Sequence, residues 1–261
     1  MQIVGYETGV GSDGDPGPAG LLVAAGDGAV DRIDLSPGRE LAYDLGDRHC
    51  AGTIHDGAHI ACAEPAAPYC ASHRDVWVCA RCTGTCLKEE MDCHDPHAVY
   101  LAAFAPDRFK VGVTRLWRLE TRLREQGADR GAHVRTVDNG RIAREIEAGL
   151  AADVAELVDR VRVPTKRSGL AATVDADAWE RLLDRFDVTE RFAFEYGLDL
   201  SDRPMAETML TGRAIGTKGR LLVLERAGST YAVDLRDLVG YEVAERRSER
   251  DIQSSLGAFG G

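Results

Sequence analysis

The chain has 261 residues, 44% of them hydrophobic, which is enough to bury a substantial core and lies between one elaborated domain and two smaller ones. With 43 acidic against 32 basic residues the net charge is −11, which excludes a globally basic nucleic-acid coat. No run approaches the roughly 18 apolar residues of a membrane span, and MQIVGYETG at the start has neither the basic flank nor the apolar stretch of a secretory leader, so a cytoplasmic location without a membrane partner is expected.

In chain order, residues 1–49 read as short strands broken by turns. After a Gly/Pro/Asp loop at 11–20 come LLVAA (21–25) and ELAYDLG (40–46), apolar or alternating as strands are. Residues 50–96 have no sustained period and carry Pro65, Pro68, Gly84 and Pro96, as expected where a metal organises the backbone. VYLAAFA (99–105) and FKVGVT (109–114), joined through Pro106-Asp107, predict a β-hairpin. Leu116, Leu119 and Leu123 then recur at helical spacing. HVRTVD (133–138) predicts a third strand, and Asn139 the N-cap of a helix with Ile142, Ile146 and Leu150 on one face, continuing through VAELVDRV and ending before Pro164. WERLLDRF (179–186) predicts a short amphipathic helix. RLLVLE (220–225), STYAVDL (229–235) and VGYEVAE (239–245) return to strand patterns between glycine turns.

All seven cysteines fall between Cys50 and Cys93, and disulfides are rare in a reducing cytosol, so this cluster predicts metal ligation. Cys79, Cys82, Cys86 and Cys93 read C-x2-C-x3-C-x6-C and group as one tetrahedral shell. Cys50, Cys62, Cys70 and His73 group as a second, making two closed structural zinc sites. Interleaved pairing, with Cys70 and His73 joining Cys79 and Cys82, is an alternative, and four cysteines also suit an iron–sulfur cluster. His94 and His97 are spare imidazoles beside the cluster.

Residues 107–144 hold nine arginines and Lys110 against five acids, a basic island in an acidic protein. Arginine suits bidentate contact with phosphate; the alternative is a solvated helix face whose arginines pair with Glu120 and Glu125. Only four basic residues are lysines, Lys88, Lys110, Lys166 and Lys218, and this Arg-, Asp- and Glu-rich composition suits a salt-rich, halophilic cytoplasm. Trp117 and Trp179 are read as packing residues, with base stacking the alternative for an exposed Trp.

Ala98-Val99-Tyr100, ten residues ahead of Lys110-Val111-Gly112, then Arg118 and Arg122 on a helix and Glu147 on a later one, resemble the GIY-YIG nuclease module. The resemblance implies a small α/β unit in which Tyr100 stands for the first tyrosine, Arg122 or Arg118 for the arginine that steadies the transition state, and Glu147 for the carboxylate that holds Mg²⁺ or Mn²⁺. Lys110 stands where the second tyrosine belongs, a substitution some branches of that superfamily share. A broader resemblance, to an uncharacterised prokaryotic family known as domain of unknown function number 2797, rests on Cys93, Pro96, His97, Val99–Ala102, Phe109–Arg115, Thr121-Arg122, Gln126–Ala128 and Gly216–Arg220. Bacterial members of that family tend to carry a close C-x2-C as the first pair, whereas here Cys62 is followed by Ala63-Glu64-Pro65, and the resemblance implies that Cys50 takes over a ligand role.

The expected architecture is therefore α+β. A β-rich N-terminal segment (1–49), a Cys-rich zinc-binding segment (50–96), a GIY-YIG-like α/β unit (97–165), a helical connector (166–186) and a β-rich C-terminal segment (187–261) follow one another. The expected function is a zinc-stabilised nucleic-acid-binding protein with a degenerate GIY-YIG-like core. The alternatives are a metal-dependent phosphodiesterase acting on DNA or RNA, with Tyr100, Lys110, Arg118, Arg122 and Glu147 as its site, and a protein-interaction module. Gly112 and Gly127 are read as residues that permit a tight strand and a helix C-terminal turn.

Overall fold

The strand patterns at the two ends of the chain belong to one sheet. The computed structural model describes residues 1–9, 17–74 and 94–250. In it β1 (Gln2–Glu7), β2 (Gly20–Ala24), β3 (Val30–Asp34) and β4 (Glu40–Arg48) form the N-terminal strands. They join β12 (Met205–Ala206), β13 (Leu210–Lys218), β14 (Leu221–Arg226), β15 (Ser229–Asp234) and β16 (Tyr241–Glu245) in the order β12-β15-β14-β13-β4-β16-β1-β2-β3. The seam runs through β4, antiparallel to β13 on one side, with Leu41 opposite Gly212, and to β16 on the other. Its core gathers Ile3, Leu21, Leu41, Leu210, Leu222, Leu224, Tyr231 and Val233, buried by the period-2 alternation of strands from both ends. The short helix α5 (Leu235–Leu238) follows β15 and is capped by the Asp234 carboxylate, which accepts from the Arg236 amide; it takes Leu235 from the strand predicted at 229–235, and the strand predicted at 239–245 begins at Tyr241.

A second sheet is built on β7 (His97–Phe104), every residue of which is buried. Its order is β10-β8-β7-β9-β11, with β8 (Arg108–Arg115), β9 (Arg130–Val137), β10 (Leu157–Val158) and β11 (Glu190–Ala193). β7 is central, so both of its side-chain rows need cover. Val99, Leu101 and Ala103 pack with Val111, Ala143, Trp179, Leu182 and Leu183, under α2 (Gly140–Asp153) and α4 (Ala176–Leu183). Ala98, Tyr100, Ala102 and Phe104 pack on the other face with Leu119 and Leu123 of α1 (Leu119–Gln126). Helices on both faces explain why β7 reads as a continuous apolar run.

The predicted hairpin, third strand and first long helix all form. Asn139 caps α2 by accepting from the Ile142 amide. The helix does not continue through 154–161, however. Val154 is extended at φ −113° and ψ 101°, and Leu157-Val158 pair in parallel with Phe109-Lys110 as an edge strand. β-Branched Val154, Val158 and Val161 suit that extended path, and pairing to β8 outweighs helix extension. Pro164 begins a helix rather than ending one: it sits in the first turn of α3 (Val163–Ser168), where a missing N–H costs nothing. Among the described residues no helix is long and apolar enough to cross a membrane.

Candidate functional site

Cys50 follows the end of β4, and the hairpin of β5 (Thr53–His55) and β6 (Ala58–Ile60) returns the chain to Cys62. Asp56 and Gly57 both take positive φ, 49° and 79°, as a two-residue hairpin turn requires. Cys70 and His73 share one turn in which the His73 and Arg74 amides both donate to the Cys70 carbonyl. The result is a cluster in which the three thiol sulfurs and one imidazole nitrogen all lie within 4.8 Å of one another. His73 Nδ1 is 3.4 Å from both Cys50 Sγ and Cys70 Sγ. Ligands around a tetrahedral zinc stand roughly 3.5–3.8 Å apart, so this Cys3His group can hold a metal ion such as zinc with little rearrangement. The Cys50 sulfur also accepts from the Gly52 and Cys70 amides. At Cys70, burial raises the thiol pKa, but the His73 and Ser72 amides and the Cys50 and His73 side chains outweigh it and bring the value down to about 7. The other predicted shell, Cys79, Cys82, Cys86 and Cys93, lies outside the described residues. His97 is a β7 residue whose Nδ1 is 2.7 Å from the Asp95 carbonyl oxygen.

The second constellation starts at Gly112, opposite Tyr100 across β7 and β8. A Cβ at 112 would stand 2.5 Å from both Cζ and the hydroxyl of Tyr100, so only glycine lets the ring lie across β8. The Tyr100 hydroxyl accepts a 2.5 Å hydrogen bond from Gln126 Nε2, and Lys110 Nζ lies 5.6 Å from the ring centroid. Gln126 ends α1, and Gly127 follows in the left-handed region at φ 69°, closing the helix with its amide on Arg124 and Leu123.

Lys110 and Gln126 border a cleft of about 1170 Å³ whose lining comes from both the smaller sheet and the larger one. β10 pairs with Phe109 and Lys110 on the outer edge of β8, and Arg144 and Glu147 of α2 line the same space as Lys110. The lining has eight basic side chains, Lys110, Arg122, Arg144, Arg160, Arg162, Lys166, Arg220 and Arg236, and six acids. Glu147 pairs with Arg144 at 2.6 Å and its side chain is 13% exposed; Arg122 shares Glu125 with Arg118. Arg220 pairs at 2.8 Å with Asp234, whose carboxyl is raised by burial against the opposing pull of Arg220. Exposed Arg160, Arg162 and Arg236 have no carboxylate partner among the described residues.

Of the sequence-predicted residues, Lys110, Arg122 and Glu147 share the cleft lining. Tyr100 is 1% exposed and sits behind Gln126, and Arg118 is outside the lining, turned to Glu125. Arg124 pairs with Glu120 as the solvated-face reading expects. Trp179 is a packing residue at 2% exposure, but Trp117 is not: it is 66% exposed with the Arg118 guanidinium 5.7 Å from its ring, because the 3-10 turn Leu116–Arg118 carries it off the sheet before α1 begins. Sequence reasoning missed Gln126 and Lys166 as contributors to the cleft, since their surroundings come from distant parts of the chain.

A family model described as "Protein of unknown function (DUF2797)" matches residues 46–243. No curated protein and no solved structure matches the chain.

Proposed function

With the chain a member of the DUF2797 family of proteins of unknown function, we propose that its cleft grips the phosphates of a nucleic-acid strand, with residues 97–165 a GIY-YIG-like core that binds without cutting and the cysteine-rich segment held by two structural zinc ions. The observation that carries this reading is the meeting of Lys110, Arg122 and Glu147 in one cleft with Arg160, Arg162 and Arg236, whose guanidinium groups have no carboxylate partner among the described residues. Phosphate is the ligand that suits such a set, since arginine offers it paired N–H donors.

Three features favour binding over hydrolysis. The Tyr100 hydroxyl is occupied by Gln126 and out of solvent, Glu147 is neutralised by Arg144, and Lys110 replaces the phenol that the nuclease resemblance implies. A carboxylate engaged by a guanidinium at 2.6 Å is a poor seat for Mg²⁺, which needs its oxygens free.

The test is titration of labelled single- and double-stranded DNA and RNA by fluorescence anisotropy between 50 and 200 mM salt. Affinity should fall steeply with salt, and Lys110→Ala combined with Arg122→Ala should weaken binding about tenfold or more. No affinity for any of these strands would overturn the proposal. Cleavage in Mg²⁺ or Mn²⁺ that disappears in Glu147→Ala would replace binding alone with the phosphodiesterase alternative.

A further inference from the structure

Lys166 of α3 lines the cleft at the junction of the two sheets, largely buried. Its Nζ donates to the Gln126 carbonyl oxygen at 2.7 Å and lies 4.7 Å from the centroid of the Phe104 ring. Among the described residues it has no carboxylate within ion-pair distance. Lys218, on the same seam, shows what a structural ammonium looks like here, with Asp129 at 2.5 Å. The charges facing Lys166 come from four elements. Lys110 of β8, Arg122 of α1 and Arg220 between β13 and β14 oppose a proton on its amine, and Asp234 at the end of β15 favours one. Burial first and these three cations second bring the ammonium from its ordinary range down to about 7.

A buried amine with no carboxylate partner among the described residues, on the wall of a cation-lined cleft, has a specific chemical use. We propose that Lys166 is a nucleophile that forms an imine with the aldehyde of a phosphorylated ligand, whose phosphate is held by Lys110, Arg122 and Arg220. The nitrogen lone pair attacks the carbonyl carbon while the C=O π pair moves to oxygen, which takes up the proton that the nitrogen releases. The carbinolamine then expels that oxygen as water, which takes the second nitrogen proton with it, while the nitrogen lone pair closes the C=N bond. The proposal rests on the phosphate-binding reading of the cleft. An aldehyde beside a phosphate ester occurs in small sugar phosphates and in the abasic sugar of a nucleic-acid strand, and the experiment separates the two sources.

The full-length wild-type protein is treated at pH 7.5 with pyridoxal 5′-phosphate, with pyridoxal, or with an oligonucleotide bearing one abasic site, each reduced with borohydride and mapped by peptide mass spectrometry. Four lysines make the map unambiguous. The expected adduct is on Lys166, about tenfold more abundant with the phosphorylated aldehyde than with pyridoxal, and suppressed by inorganic phosphate. Capture of the abasic strand on Lys166 identifies a nucleic-acid source, and capture of the small aldehyde alone identifies a small-molecule one; both support the amine. Adducts that favour Lys88, Lys110 or Lys218, or an unmodified Lys166, overturn it. If oligonucleotide binding is salt-sensitive while Lys166 stays unmodified, the amine proposal falls and the phosphate reading stands. Equal modification by both pyridoxal reagents, unprotected by phosphate, removes the phosphorylated ligand from the proposal.

Discussion

Gly127 and Gly219 stand back to back: a Cβ on Gly219 would lie 2.7 Å from the Gly127 nitrogen and 2.8 Å from the Glu125 carbonyl oxygen. Both take positive φ, 69° and 55°. This contact joins the end of α1 to the turn between β13 and β14, and so sets one side of the cleft against the other. Gly219→Ala adds left-handed strain and a backbone clash at once, and should lower unfolding stability by about 1–3 kcal/mol. Urea denaturation of the variant beside wild type checks this; an unchanged midpoint would mean that the seam yields freely.

Gly112 makes a second, more local demand. Its alanine variant places a methyl 2.5 Å from Tyr100 Cζ, so the ring must swing away and give up the Gln126 hydrogen bond. Overpacking of this kind costs about 1–3 kcal/mol. Thermal unfolding should register it, together with a change in tyrosine fluorescence that Gly149→Ala, in open space on α2, does not produce.

Metal content is the third prediction. Natively purified protein should hold two zinc ions per chain, and Cys50→Ser or His73→Ala should remove one of them. Loss of the ion leaves three thiols crowded within 4.8 Å of an imidazole with nothing to bind them. A loss of a few kcal/mol should move the melting temperature by roughly 10 °C in a chain of this size. Elemental analysis and scanning calorimetry decide; zinc content unchanged in both variants would contradict the Cys3His site.

Lys166 predicts a pH dependence with a definite sign. In the unfolded chain its ammonium titrates near 10.5, in the folded protein near 7. Below pH 7 both states hold the proton, and the cost of the buried charge is fully present. Between 7 and 10.5 only the unfolded state keeps the proton, so the lysine's contribution becomes more favourable as pH rises. The stability of Lys166→Met minus that of wild type should therefore be most positive near pH 6 and decline toward pH 10, by an amount on the order of a few kcal/mol. Urea unfolding of both proteins at pH 6, 8 and 9.5 measures it, and a pH-independent difference would show that the amine titrates normally.

Local signals were readable wherever the determining contacts are local. The hairpin expected from 99–105 and 109–114 shows in two short apolar runs around the Pro106-Asp107 turn, and Asn139 announces α2 because a cap acts on the amide three residues on. The union of the two β-rich ends was not readable, because β4 meets β13 across about 170 residues of chain and neither strand names its partner. The same holds inside the cleft. Lys166 has nothing unusual in its own neighbourhood, VPTKRS; its character comes from Phe104, Lys110, Gln126 and Arg220, each more than 35 residues away. The helix expected over 154–161 failed for a related reason, since the edge of β8 competes for Leu157 and Val158.

Where a strand of nucleic acid lies on the protein separates the cleft from every other surface most directly. Hydrogen–deuterium exchange with and without a saturating oligonucleotide reads that out across the whole chain. If the cleft holds the strand, exchange slows in α1, in residues 159–166 and in the turn between β13 and β14, and this protection is lost when Lys110 and Arg122 are both replaced by alanine. Protection confined to the exposed Trp117 face or to the hairpin of β5 and β6, with the cleft exchanging as in the free protein, would contradict it.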